Sequence, residues 1–221
     1  MTSSKSIRNT PHKWSTTVNS MVFVDDIFLV NQYKFEIGFF SVSDNPILND
    51  IALDQIDMFF SMLMSNSIIV DKKDYDDSVL LMNLKNNKFM VPGKGNDQVV
   101  GSLVFLKLVN IVGANLEIDH ITITSELGKD ICYAIGADSL EIEALVPKKA
   151  DWWGDDTVKF LPWWNRPDSS TYDILNDGKI YEGDFEWRDI FKEEFEEAEN
   201  YNKPAAKGKV FKLIPGGKDV H

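Results

Sequence analysis

The sequence predicts an α/β fold: a mixed, partly parallel sheet flanked by about three helices, with an irregular aromatic-rich C-terminal segment. Three observations carry that prediction. Across residues 21–146, short runs rich in Val, Ile and Phe alternate with stretches of helical apolar spacing. The middle of the chain reads strand, helix, strand, helix, strand, an order that favours crossover connections and parallel pairing. Strand pairs joined by tight turns on either side add antiparallel neighbours.

The elements follow in order. Residues 1–17 are rich in Ser, Thr and Asn without periodicity and read as a flexible arm. Residues 21–30 and 33–42 read as strands joined by a turn at Asn31-Gln32, with Asp25-Asp26 marking a bulge or an edge position. Asp44-Asn45-Pro46 is a helix start, after which Ile47, Leu48, Ile51, Ile56, Phe59, Phe60, Leu63 and Met64 fall mostly on one helical face. Residues 67–70 are a short strand, 74–85 a short helix, and 88–91 another strand that stops at Pro92. Asp97 is placed to cap a helix running from Gln98 to about Ile111, which Gly113 closes. Residues 116–124 form the clearest strand, and 131–135 and 140–146 two more, separated by a turn at Gly136-Ala137-Asp138. The chain therefore divides into an arm (1–17), an α/β core domain (18–150), an acidic aromatic-rich appendage (151–202) and a basic extended tail (203–221).

Composition narrows the function. At 221 residues and 43% hydrophobic, the chain suits one well-buried domain with an appendage. Its 35 acidic against 23 basic residues give a net charge of -12, which repels a phosphate backbone and anionic lipid alike. Non-specific nucleic-acid binding is therefore not expected. Cys132 is the sole cysteine, which excludes an intrachain disulfide and a cysteine-based zinc site and fits a reducing compartment. No apolar run approaches the roughly 18 residues of a membrane span, and residues 1–17 lack the apolar stretch of a signal peptide. We expect no membrane association, no cofactor and no metal.

Several local patterns carry chemistry. Gly93-Lys94-Gly95 lies between a strand and a helix, the context in which a glycine-rich loop cradles phosphate. Gln98 replaces the third glycine, and Asp97 would repel the ligand, so an ordinary loop is the plainer reading. His120 is the histidine best placed for general-base work near Ser125 or Glu126. It is expected to share a face with Leu116 and Ile118, and its neighbour Asp119 to point the other way, so that the two make no dyad. Pro167-Asp168 followed by Asp177-x-Lys179 matches the letters of a metal-dependent nuclease, but Asn176-Asp177-Gly178 reads as a turn. A calcium loop beginning at Asp173 fails at Leu175.

Five of the six tryptophans fall within residues 151–191. Trp152, Trp153, Trp163, Trp164 and Trp187 are interleaved with carboxylates there, as at a protein interface with an aromatic centre and a polar rim.

The stretches Asp97-Gln98-Val99-Val100-Gly101, Leu106-Lys107-Leu108-Val109-Asn110-Ile111 and Ile121-Thr122-Ile123-Thr124-Ser125-Glu126-Leu127-Gly128, followed by Trp152-Trp153, resemble uncharacterised proteins of tailed bacteriophages. The resemblance covers residues of about 50–155. It implies a viral protein made in the cytoplasm of a bacterial host, or carried in a virion, and supplies no catalytic residues. The leading expectation is an accessory or structural protein that works through contacts with a protein partner or with its own copies. One alternative is a small enzyme with Asp71, Lys94 and Glu126 gathered at the carboxyl ends of the central strands. Another is an acidic inhibitor of a host protein.

Overall fold

The computed structural model describes residues 11–91, 93–136 and 190–201. Its centre is a hairpin of two long strands, β1 (His12–Val24) and β2 (Ile27–Ser41). Both alternate: Val18, Ser20 and Val22 are buried between exposed Thr17 and Asn19, and Tyr33, Phe35 and Ile37 are buried on either side of exposed Lys34 and half-buried Glu36. The turn between the strands is Asp25-Asp26, with φ of 50° and 63°, the left-handed pair that a two-residue hairpin turn demands. This corrects two expectations. Asn31-Gln32 lies inside β2, and residues 12–17, expected in the arm, form the first half of β1. Trp14 is the physical reason for the second, since its ring stacks on Phe60 at 5.6 Å and packs against the core.

Asn45 caps α1 (Pro46–Phe59), its side chain accepting from the Ile47 amide, with Pro at the first helical position as the sequence suggests. One π-helical turn (Phe60–Met64) follows, closed by the Ser65 amide on the Phe60 carbonyl. The wider turn lets neighbouring residues face inward together: Phe59 with Phe60, and Leu63 with Met64, are all buried. Next come β3 (Ile68–Asp71), α2 (Lys72–Asp77), α3 (Val79–Asn83) and β4 (Lys88–Val91). The single helix expected over 74–85 is split at Ser78, whose backbone is extended and whose hydroxyl caps α3 at the Leu81 amide. In α4 (Asp97–Val112) the cap is Asn96, accepting from Val99, while Asp97 is the first helical residue. Then follow β5 (Leu116–Ser125), β6 (Tyr133–Gly136) and α5 (Lys192–Tyr201).

The six strands make one mixed sheet in the order β4-β3-β1-β2-β5-β6. β3 is parallel to β1 and β4 to β3; the other pairs are antiparallel. The chain leaves edge strand β4, traverses α4 and re-enters the sheet at β5, beyond the central hairpin. The two outermost strands are four residues long.

Alternation along the strands divides the apolar side chains between two faces. Val22, Ile69, Phe89 and Val91 join α1 and α4 in the main core. Their neighbours Phe23, Ile68, Val70 and Met90 point the other way and join Leu81 of α3 in a small second core. Helix α5 lies against α1: the Asn45 side chain donates to the Ala198 carbonyl at 3.0 Å, and Ile190 packs on the main core. No helix among the described residues is long and apolar enough to cross a membrane. The strand expected over 140–146, the turn at Asn176-Asp177-Gly178, and the arm and tail beyond residues 11 and 201 fall outside the described residues.

Candidate functional site

The carboxyl ends of β1, β4 and β5 surround a polar cluster. Asp97, 6% exposed, places both carboxylate oxygens 2.8 Å from the Ser125 hydroxyl, which closes β5. That hydroxyl also accepts from the Gly128 amide at 3.0 Å, and the buried Asn31 side chain accepts from Leu127 at 3.0 Å. The loop after β5 is thereby tied to the start of α4 and to β2. Gly128 is required by closeness: a Cβ there would stand 2.2 Å from an Asp97 oxygen.

Burial raises the Asp97 carboxyl above the usual carboxylate range, and the Ser125 hydrogen bond opposes only part of that. Tyr33 is fully buried beside this cluster. Its pKa is pushed above the ordinary phenol value by burial; the Asn31 side chain opposes the shift and the Asp97 charge adds to it. Together Val22, Asn31, Asp97, Gly128 and Tyr133 border a cavity of about 160 Å³. It offers one carboxyl group that holds its proton to a higher pH than usual. The helix N-terminus beside it, where a phosphate-binding loop would receive its anion, already carries the protein's own carboxylate.

Three of the sequence candidates do not meet in this cavity. Asp71 ends β3 and caps α2, its carboxylate accepting from the Lys73 amide at 3.1 Å. Lys94 is largely exposed and lies 3.8 Å from the equally exposed Asp25, a weak surface pair. Glu126 is exposed, and its amide donates to the Gln32 carbonyl.

His120 stands elsewhere, and here the structure overturns a sequence expectation. Its imidazole Nδ1 lies 2.8 Å from the Asp119 carboxylate, so the adjacent pair does form a dyad. The cause is a bulge: Gly38 pairs with His120 but Phe39 with Ile118, which leaves Asp119 as the extra residue. The bulge shifts the alternation, so His120 lies on the opposite sheet face from buried Ile118, Ile121 and Ser125. It therefore cannot serve Ser125. Gly38 makes room for the ring, since a Cβ at that position would come within 2.4 Å of it. An Nδ1–H directed at the Asp119 carboxylate would fix the tautomer of the ring. A bulge depends on the partner strand, so no pattern within residues 116–125 alone announces it.

Trp152, Trp153, Trp163, Trp164 and Trp187 lie outside the described residues. Among the described residues no group of three or more His, Cys, Asp or Glu side chains is placed to hold a metal ion. Fold and site together define a mixed-sheet α/β protein with a carboxylate-bearing cleft at its strand ends. No protein-family model matches the chain, and no curated protein is found to be similar to it.

Proposed function

We propose that this protein acts through protein contacts, with no catalysis of its own, as an accessory or structural component of a tailed bacteriophage in the host cytoplasm or in the virion. One observation supports the contact reading above others: an apolar surface is left open around the second core. Phe28 and Leu81 pack into that core, while Val30, on the same face of β2 as Phe28, and Val79, Leu80 and Met82 beside Leu81 remain exposed. Val30 at 73% and Val79 at 72% are nearly as open as side chains in an unfolded chain. Large apolar residues gathered at one place on a soluble surface mark a docking site. The acidic composition supplies the polar rim that such interfaces carry. The tryptophans of residues 151–191 enter this proposal on sequence alone.

Affinity capture from expressing cells, with gel filtration and light scattering on the purified chain, tests it. The wild type should form a complex or an oligomer, and Val30→Asp with Leu80→Asp should lower its affinity at least tenfold. A strict monomer that captures nothing, or variants that associate as well as the wild type, would overturn the reading.

A further inference from the structure

A second concave surface lies at the opposite end of the sheet from the Asp97 cavity. It is a groove of about 420 Å³ between the first residues of β1, the end of β2 and the first turns of α1. That volume falls in the range of ordinary binding sites. Apolar Trp14, Phe39, Leu53 and Leu116 line it together with polar His12, Lys13, Ser41, Asn49 and Asp50, and Lys13 is already paired with Glu36. One polar atom is out of place there. The Asn49 side chain donates to the Ser43 carbonyl at 2.9 Å, which fixes its orientation, but among the described residues its buried Oδ1 accepts nothing. An orphaned buried acceptor is costly and calls for an N–H donor from an occupant.

An acidic ridge flanks the groove. Asp50 lines it, and Asp54 and Asp57 follow at helical spacing along α1, with Glu194 of α5 close by. Among the described residues none of these four carboxylates has a basic partner. Burial raises the Asp54 carboxyl above its ordinary value, and the charges of Asp50, Asp57 and Glu194 raise it further, as unneutralised neighbours do.

The position of α5 says what can reach this surface. Ala198, late in α5, is bonded to Asn45, the cap of α1, whereas Glu194 acts on Asp54 further along, so the two helices run antiparallel. The chain therefore leaves Tyr201 beyond the N-terminus of α1, the helix that contributes Pro46, Asn49 and Asp50 to the groove. The twelve residues 203–214, two positions beyond Tyr201, carry Lys203, Lys207, Lys209 and Lys212 with Val210, Phe211, Leu213 and Ile214, and no acid. Nine residues separate Tyr201 from Phe211, a reach of up to about 30 Å when extended.

We propose that the groove and its acidic ridge are the docking site for the chain's own basic tail, residues 203–214, folded back in cis. The lysines match the carboxylates of the ridge, the apolar residues match the groove, and a tail amide supplies the donor that Asn49 lacks. The inference stands apart from the apolar surface around the second core.

Limited trypsin digestion of the full chain, followed by mass spectrometry, tests it at Lys207, Lys209 and Lys212. The wild type should be cut slowly at these sites. Asp50→Asn/Asp54→Asn/Asp57→Asn should be cut at least about fivefold faster, and so should Phe211→Ser/Leu213→Ser. The protection should not depend on protein concentration. Equal cleavage in wild type and both variants overturns the proposal. Protection that rises with concentration assigns the groove to a second copy and overturns docking in cis. Exposure of Lys5 and Arg8 in the ridge variant, with the tail unchanged, gives the groove to the N-terminal arm and overturns it too.

Discussion

Gly38 and Asp97 show how single side chains hold this molecule in a particular state. At Gly38 a methyl group would collide with the His120 ring, so Gly38→Ala should cost about 1–3 kcal/mol as overpacking and displace the imidazole from Asp119. Urea denaturation checks the first effect, and imidazole nitrogen NMR shifts check the second by loss of the fixed tautomer. Asp97 makes a prediction with a pH sign. Its carboxyl is raised in the folded state, so the stability it lends is fully present below the ordinary carboxylate pKa and is lost as pH rises through the raised value. Asp97→Asn cannot ionise and escapes that loss. The variant should therefore gain stability relative to wild type between pH 4 and pH 7, measured by urea midpoints at each pH. A constant difference across that range would mean that the buried charge is already fully compensated. Neither residue's role is legible in the sequence: Gly38 looks like any glycine in a strand, and Asp97 looks like a cap until Asn96 is seen to do that work.

Among the elements, those set by capping and periodicity are the legible ones. Asp44-Asn45-Pro46 announces α1, and the mixed sheet follows from strands alternating with helices, because capping and periodicity are properties of a short window. The central hairpin was misplaced because its turn is Asp25-Asp26. Two aspartates tolerate the left-handed region but lack the glycine that usually marks such a turn, while Asn31, a better turn residue on paper, is buried and holds Leu127. The bulge at Asp119 was hidden for a different reason, since register belongs to a pair of strands. Asn45 joins two elements, capping α1 and bonding α5 at Ala198. Asn45→Ala should therefore cost about 1–2 kcal/mol, more than a cap on an isolated helix, and speed amide exchange in residues 192–201. Exchange unchanged in α5 would show that its docking does not depend on Asn45.

Across the whole molecule the two cores are unequal. The main one spans both long strands, α1 and α4, whereas the second has five buried residues beneath two short helices. Local opening should begin where little apolar surface is sealed, so amides of α2 and α3 should exchange well before those of α4 under native conditions. Uniform exchange across both would contradict that division. The polar cluster was not legible in the sequence, because Asn31, Tyr33 and Ser125 meet Asp97 only through long-range pairing of β2 with β5.

The sheet's borders bear on how anything attaches to it. Among the described residues its outermost strands, β4 and β6, offer only four residues each. A strand-shaped ligand laid along either border would find few backbone groups to zip against, which disfavours recruitment by sheet extension and fibril-like stacking. Among the described residues, the side chains on the sheet's flanks offer more to hold than its borders do.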